Sequence, residues 1–247
     1  MLVGIVLSLL VGVSLGMLGG GGSILTLPIL VYAMGMDKKA AIATSLLVVG
    51  TTSAAAVVSH ARAGNVAWRT GLLFALAGSV GAFAGGLAAD VFPAAWLVRA
   101  FIGMMFLTAY GMLRGRKEHA PVEVVDLPLA RIARDGGAVG LFSGLVGAGG
   151  GFLVVPTLAL LGGLAMHRAV GTSLVVIALQ SWSGFLGHVT HVRVDYATAG
   201  MVTAAAVVGS LAGGMLAPRV PQAALRKGFG IFVLFMAVYM VAKEFNA

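Results

Sequence analysis

The 247-residue chain contains no cysteine, which excludes disulfides, thiolate metal sites and thiol redox chemistry. Charge is scarce too. Asp, Glu, Lys and Arg make up 10% of residues, where a soluble domain carries about 25%. Acidic groups are scarcest: Asp37, Asp90, Glu118, Glu123, Asp126, Asp135, Asp195 and Glu244 are the eight carboxylates, and all are expected in loops or at the ends of apolar runs. That placement argues against a carboxylate proton relay and against a cation site built on buried carboxylates. Also missing are a His-Glu-x-x-His zinc motif, a Gly-x-Ser-x-Gly nucleophile elbow and a phosphate loop with its lysine. Neither an enzyme nor an ATP-driven pump is expected, and no cofactor or metal.

What remains is apolar. Hydrophobic residues make up 60% of the chain and mean hydropathy is +1.04, which predicts an all-α, polytopic transmembrane protein in a lipid bilayer. Runs long enough to cross, about 20 residues at 1.5 Å rise, fall at 41–60, 70–90, 95–113, 169–188, 197–217 and 226–242. Two further apolar regions, 2–35 and 136–163, are interrupted by glycine clusters. The N-terminal stretch has no basic n-region and reads as part of the first helical segment. The net charge of +8 would point to nucleic acid in a soluble protein. Here the basic residues lie between apolar runs, so they report orientation and no nucleic-acid partner is expected.

Adding 128 to each residue number superposes the two halves of the sequence without a gap. Gly16, Gly19, Gly21, Gly22 and Pro28 fall on Gly144, Gly147, Gly149, Gly150 and Pro156. Thr44-Ser45-Leu46 falls on Thr172-Ser173-Leu174, His60 on His188, and Gly85-Gly86 on Gly213-Gly214. The chain divides into repeat 1 (1–113), a basic cytoplasmic loop (114–135) and repeat 2 (136–247). Such repeats are the common architecture of secondary transporters.

Loop charges bear on the orientation of the halves. If the glycine-broken regions are re-entrant pairs, each half crosses about three times and the halves are inverted. Eleven basic residues then lie on the cytoplasmic side and five outside. Full crossings would make the halves parallel, with nine against seven. The excess of positive charge inside favours inversion.

The clusters Gly19-Gly20-Gly21-Gly22-Ser23 and Gly147-Ala148-Gly149-Gly150-Gly151 are dense enough to break a helix, since each glycine costs about 1 kcal/mol relative to alanine. Freed backbone groups are tolerated only in protein or beside a water-filled cavity. The apolar run after each cluster would start a half-helix whose first N–H groups are unpaired and whose dipole end is positive. Two such ends meeting near the midplane would hold an anion. Spaced pairs such as Gly81 with Gly85, or Gly209 with Gly213, serve close helix packing instead. Thr44, Ser45, Thr172 and Ser173 open the next helix in each half, where their hydroxyls either cap it or donate to an oxyanion. Gln180, whose repeat counterpart is the shorter Thr52, is a further candidate contact, with a helix-packing hydrogen bond as the alternative. His60 and His188 sit at equivalent helix ends, as proton carriers or interface anchors.

The stretches GMLGGGGSILTLPIL and GLVGAGGGFLVVPTL, each followed by Ala-x-[Ala/Gly]-Thr-Ser-Leu, resemble the TauE/SafE family of sulfite exporters, also called the four-toluene-sulfonate uptake family. The resemblance covers nearly the whole chain, with Ser23 in the first copy where the second has Gly151. It implies a multi-pass inner-membrane carrier that exports sulfite or a related small sulfur-containing anion such as a sulfonate. An anion channel, or an uptake permease for sulfonate- or thiosulfate-type anions, is the alternative. By position the binding region is Gly19 to Ser23 with Thr44 and Ser45, and Gly147 to Gly151 with Thr172 and Ser173. The glycine-rich faces serve within one chain or between copies in a homo-oligomer.

Overall fold

A computed structural model describes residues 2–114, 129–147, 150–161 and 163–245. Ten α-helices account for most of them: α1 (Leu2–Leu18), α2 (Gly21–Pro28), α3 (Lys38–Arg62), α4 (Trp68–Ala88), α5 (Ala94–Arg114), α6 (Leu129–Val146), α7 (Gly151–Pro156), α8 (Met166–His188), α9 (Tyr196–Leu216) and α10 (Gln222–Phe245). No strand occurs among the described residues. Six of the helices, α3, α4, α5, α8, α9 and α10, are long and apolar enough to cross a membrane. At 25 residues, α3 spans about 37 Å, against roughly 30 Å of hydrocarbon.

Local chemistry explains where these helices start. Asp37 caps α3, its carboxylate accepting from the N–H groups of Lys39 at 2.9 Å and Ala40 at 3.1 Å. Asp195 caps α9 in the same way, accepting from Ala197 at 3.0 Å and Thr198 at 3.3 Å. Thr44 and Ser45 therefore do not open α3, and Thr172 and Ser173 do not open α8; the pairs sit inside these helices. The basic segment also differs from expectation. Residues 115–128, with Arg116 and Lys117, lie outside the described residues, but α6 begins at Leu129 and takes in Asp135, which pairs with Arg134 at 2.9 Å.

Two short helices break the regular pattern. After Gly19 and Gly20, α2 turns back along α1, so that Gly22 packs on Val11 and Leu15 and Gly4 lies against Met34. α1 and the segment after it thus form a helical hairpin. A five-residue π turn follows each internal proline, Ile29–Ala33 after Pro28 and Thr157–Leu161 after Pro156. Proline supplies no N–H and crowds the preceding turn. Widening the following turn, with Met34 N–H reaching Ile29 C=O at 2.9 Å, accommodates that loss.

The halves interlock. α1 packs on α9, and α6, its counterpart, packs on α4, the counterpart of α9. Glycine makes both seams possible. A methyl group on Gly12 or Gly16 would strike the carbonyls of Ala206 or Ser210, and one on Gly140 or Gly144 those of Gly78 or Ala82. Small residues let backbones approach where lipid provides no hydrophobic drive between helices. α3 and α8 lie together at the centre, and α5 packs on α10 through the fully buried, repeat-related Phe101 and Phe229. Ion pairs tie one end of the bundle. Lys38 bonds Glu244 at 2.8 Å, Tyr32 donates its hydroxyl to the same carboxylate at 3.2 Å, and Lys39 meets Asp90 at 3.0 Å.

Candidate functional site at the hairpin tips

Gly19 and Gly147 turn the chain with the same φ of +71°, a conformation strained for any side chain. The turns bring the starts of α2 and α7 together. A methyl group on Gly151 would lie 2.6 Å from Gly20 Cα, 2.8 Å from Ile177 Cδ1 and 2.9 Å from Ser23 Oγ. Gly20, Ser23 and Gly151 therefore meet at one buried junction, with Gly21 opening α2 beside them. Gly150 faces Ser143 and Gln180, while Gly22 faces Val11 and Leu15, Gly19 faces Ser173 and Gly147 faces Ile42. Gly149 lies outside the described residues. Leading N–H groups have no partner within their own helix, and both helices point positive ends at this junction.

Each Thr-Ser pair packs against the hairpin of the other half. Ser45 donates to the carbonyl of Gly147, and the equivalent Ser173 Oγ stands against Gly19 while donating to Val170 C=O at 2.7 Å. Thr172 accepts the N–H of Ala67 at 2.9 Å. Thr44 Oγ1 is buried without a partner. Three of these four hydroxyls thus hold protein groups, and Thr44 is left for another.

Gln180 is fully buried, and both atoms of its amide lack hydrogen-bond partners. So does the hydroxyl of buried Ser143. The two groups flank one point, since a methyl on Gly150 would lie 2.9 Å from Ser143 Oγ and 3.1 Å from Gln180 Oε1. Leaving a buried donor or acceptor unmet costs about 1–3 kcal/mol, so three such atoms together call for a ligand or water. Gly78 makes the arrangement possible, because a methyl there would overlap Gln180 Nε2. Ser143 escaped the sequence-level survey, and the available signal was its repeat partner, Leu15. Trp182 is not part of the site. It is partly exposed and packs edge-on against Phe185, with centroids 6.4 Å apart.

The histidines are buried at opposite ends of the central helices. His60 Nε2 faces Gly16 C=O at 2.8 Å and His188 Nδ1 faces Gly184 C=O at 3.1 Å. The other ring nitrogen of each is unpartnered. Neither belongs to the glycine junction. Among the described residues no group of three or more His, Asp or Glu side chains is placed to hold a metal.

Comparison with known proteins agrees with the architecture. The family model described as sulfite exporter TauE/SafE matches residues 4–240. A probable membrane transporter protein of Xylella fastidiosa is 34% identical over 94% of this chain and 91% of its own. A second, YdhB of Bacillus subtilis, is 29% identical over 94% of this chain and 99% of its own. No solved structure matches.

Proposed function

Because the chain belongs to the sulfite exporter TauE/SafE family of membrane transporters, we propose that it is a secondary carrier exporting sulfite or a related small sulfur-containing anion. The anion sits where the two hairpin tips meet. The observation that carries this reading is the contact of Gly151 with Gly20 beside the unpartnered Ser143 and Gln180. Backbone N–H groups of the tips, with Thr44, Ser143 and Gln180, replace the hydration shell of the anion. No Lys or Arg is buried among the residues whose side chains are described, so attraction comes from dipoles. That suits a cargo that must also leave.

The halves are inverted in this scheme. Each hairpin enters and leaves on one side, so each half crosses three times, and an odd number reverses the second half. The 114–135 segment faces the cytoplasm of an inner membrane. Rocking of one half against the other around the fixed junction gives alternating access.

Counterflow of labelled sulfite in proteoliposomes tests the proposal. Wild-type protein is expected to show saturable exchange. Gly151→Leu should lose it, and Ser143→Ala, which adds no atom, should weaken it while the protein still elutes as one species. Unimpaired exchange by Gly151→Leu would remove the junction as the site, and single-channel currents without exchange would replace the carrier by a channel.

A further inference from the structure

The unpartnered amide of Gln180 differs from the hydroxyls and backbone N–H groups at the junction, because its oxygen can only accept, whereas a hydroxyl can turn to donate. Flipping the amide exchanges Oε1 and Nε2 but still leaves one of each. The backbone N–H groups of the tips only donate. A fully ionised oxyanion has no hydrogen to give, so it would leave the amide oxygen unmet and repelled. An oxyanion that keeps one O–H would satisfy both ends of the amide, with Ser143 serving either way. Charge leads to the same place. The cost of taking an ion out of water rises as the square of its charge, while attraction to fixed dipoles rises only linearly. With no buried Lys or Arg among the residues whose side chains are described, a second negative charge has no counter-charge.

We infer that Gln180 and Ser143 restrict the cargo to singly charged oxyanions that still carry a proton, hydrogensulfite rather than sulfite or sulfate. This rests on the anion site proposed above. Two features accompany the unpartnered amide of Gln180. Gly78 clears the space its amide fills, and at the equivalent position of the other half, beside the shorter Thr52, the chain carries Ala206. The ionisable groups on the surrounding elements stand off from the amide along their helices. His188 is eight residues on, about 12 Å along the axis. His60, Lys38, Lys39 and Arg62 of α3, Arg69 of α4, and Arg131, Arg134 and Asp135 of α6 lie towards helix ends.

Binding is measured on the full chain in lipid nanodiscs with three probes: sodium sulfite below and above its second ionisation, sodium sulfate, and sodium methanesulfonate, a monoanion with no O–H. Apparent affinity for total sulfite should fall about tenfold per pH unit above that ionisation, and sulfate should bind at least about tenfold more weakly than hydrogensulfite, a difference of about 1.4 kcal/mol or more. Methanesulfonate affinity should stay flat with pH, which separates ligand protonation from any titration of the protein. Gln180→Leu should erase the preference for hydrogensulfite over methanesulfonate. Without ligand its thermal midpoint should hold or rise, because the change removes orphaned buried groups. Sulfite affinity that ignores pH, sulfate binding as tight as hydrogensulfite, or a lowered midpoint for ligand-free Gln180→Leu would each overturn the inference. Gly151→Leu separates the two levels. If it abolishes binding while wild-type sulfite affinity is flat with pH, only the selectivity is lost; if it leaves binding intact, the site itself is wrong and both fall.

Discussion

Around the first hairpin Gly22 packs against Leu15; around the second Gly150 faces Ser143. Thr52 stands in the first half where Gln180 stands in the second, and Ala206 lines the one where Gly78 lines the other. The backbone frame repeats while the chemistry does not. Leu15 carbon stands in the first half where the Ser143 hydroxyl stands in the second. Unpartnered polar atoms occur in both, Thr52 Oγ1 and Ser53 Oγ in the first and Ser143 Oγ with the Gln180 amide in the second. Under the proposed function, it is the second copy that holds the solute.

The frame should break equally in both halves. Gly85 abuts the carbonyl of Leu141 and its counterpart Gly213 that of Val13. Gly85→Val and Gly213→Val should both forfeit most folded protein on size exclusion, because the obstacle is backbone and overpacking already costs about 1–3 kcal/mol where side chains can yield. If one variant folds normally, the seams are not equivalent.

The recesses should respond unequally. Gly78→Ala puts a methyl on the amide of Gln180 and should weaken anion binding about tenfold or more, roughly 1.4 kcal/mol. Ala206→Gly should leave binding within about twofold and lower stability by about 1–2 kcal/mol through a lost buried methyl and poorer helix propensity. Titration of both proteins with the same anion decides it; equal losses would make the asymmetry irrelevant to binding.

A smaller difference concerns helix starts. Ala165 precedes α8 with φ −56° and ψ 144°, close to the −53° and 139° of Asp37 before α3, yet it offers no side-chain cap. Ala165→Asp should raise stability by about 1 kcal/mol, read as a higher thermal midpoint. No shift would mean that matching backbone angles do not suffice.

The smallest effect lies at the ion pair. Lys39 holds the Asp90 carboxyl below the usual carboxylate range. The folded state binds that proton more weakly than the unfolded state. The pair therefore contributes stability above the ordinary carboxylate range, and the contribution fades as pH falls through the lowered value. In the other half Pro218 replaces Asp90, and His167 instead faces the carbonyls of Ala217 and Val220 at 3.2 and 3.0 Å. Lys39→Ala should flatten the acid limb of a stability–pH profile slightly, the pair being exposed and screened. An unchanged limb would assign acid sensitivity elsewhere.

Much of this frame was legible in the sequence. Apolar runs located all six crossing helices, and the offset of 128 paired the glycines that close the seams. Helix starts were harder, because hydropathy marks where a chain meets lipid and not where a helix begins. Lys38 to Ala41 and Leu129 to Asp135 look like loop by charge yet suit a helix by propensity, with Asp37 as an evident cap for the first. The partner of α1 was not legible at all, since a glycine stripe specifies close approach without saying to what. Of the junction, the glycine tips and Gln180 stood out. Ser143 did not, because one serine in an apolar helix is commonplace until it is set beside Leu15.

The exchange of partners between halves also governs the order in which the chain matures. α1 emerges first, but its glycine seam closes only on α9, nearly two hundred residues later. At about 5–20 residues per second of synthesis, that seam waits on the order of ten to forty seconds. Through that interval α1 has only its own hairpin and α3 for company. A late helix of repeat 2 thus completes the seam of α1, so a ribosome stalled before α9 leaves a nascent protein whose glycine seam stays open.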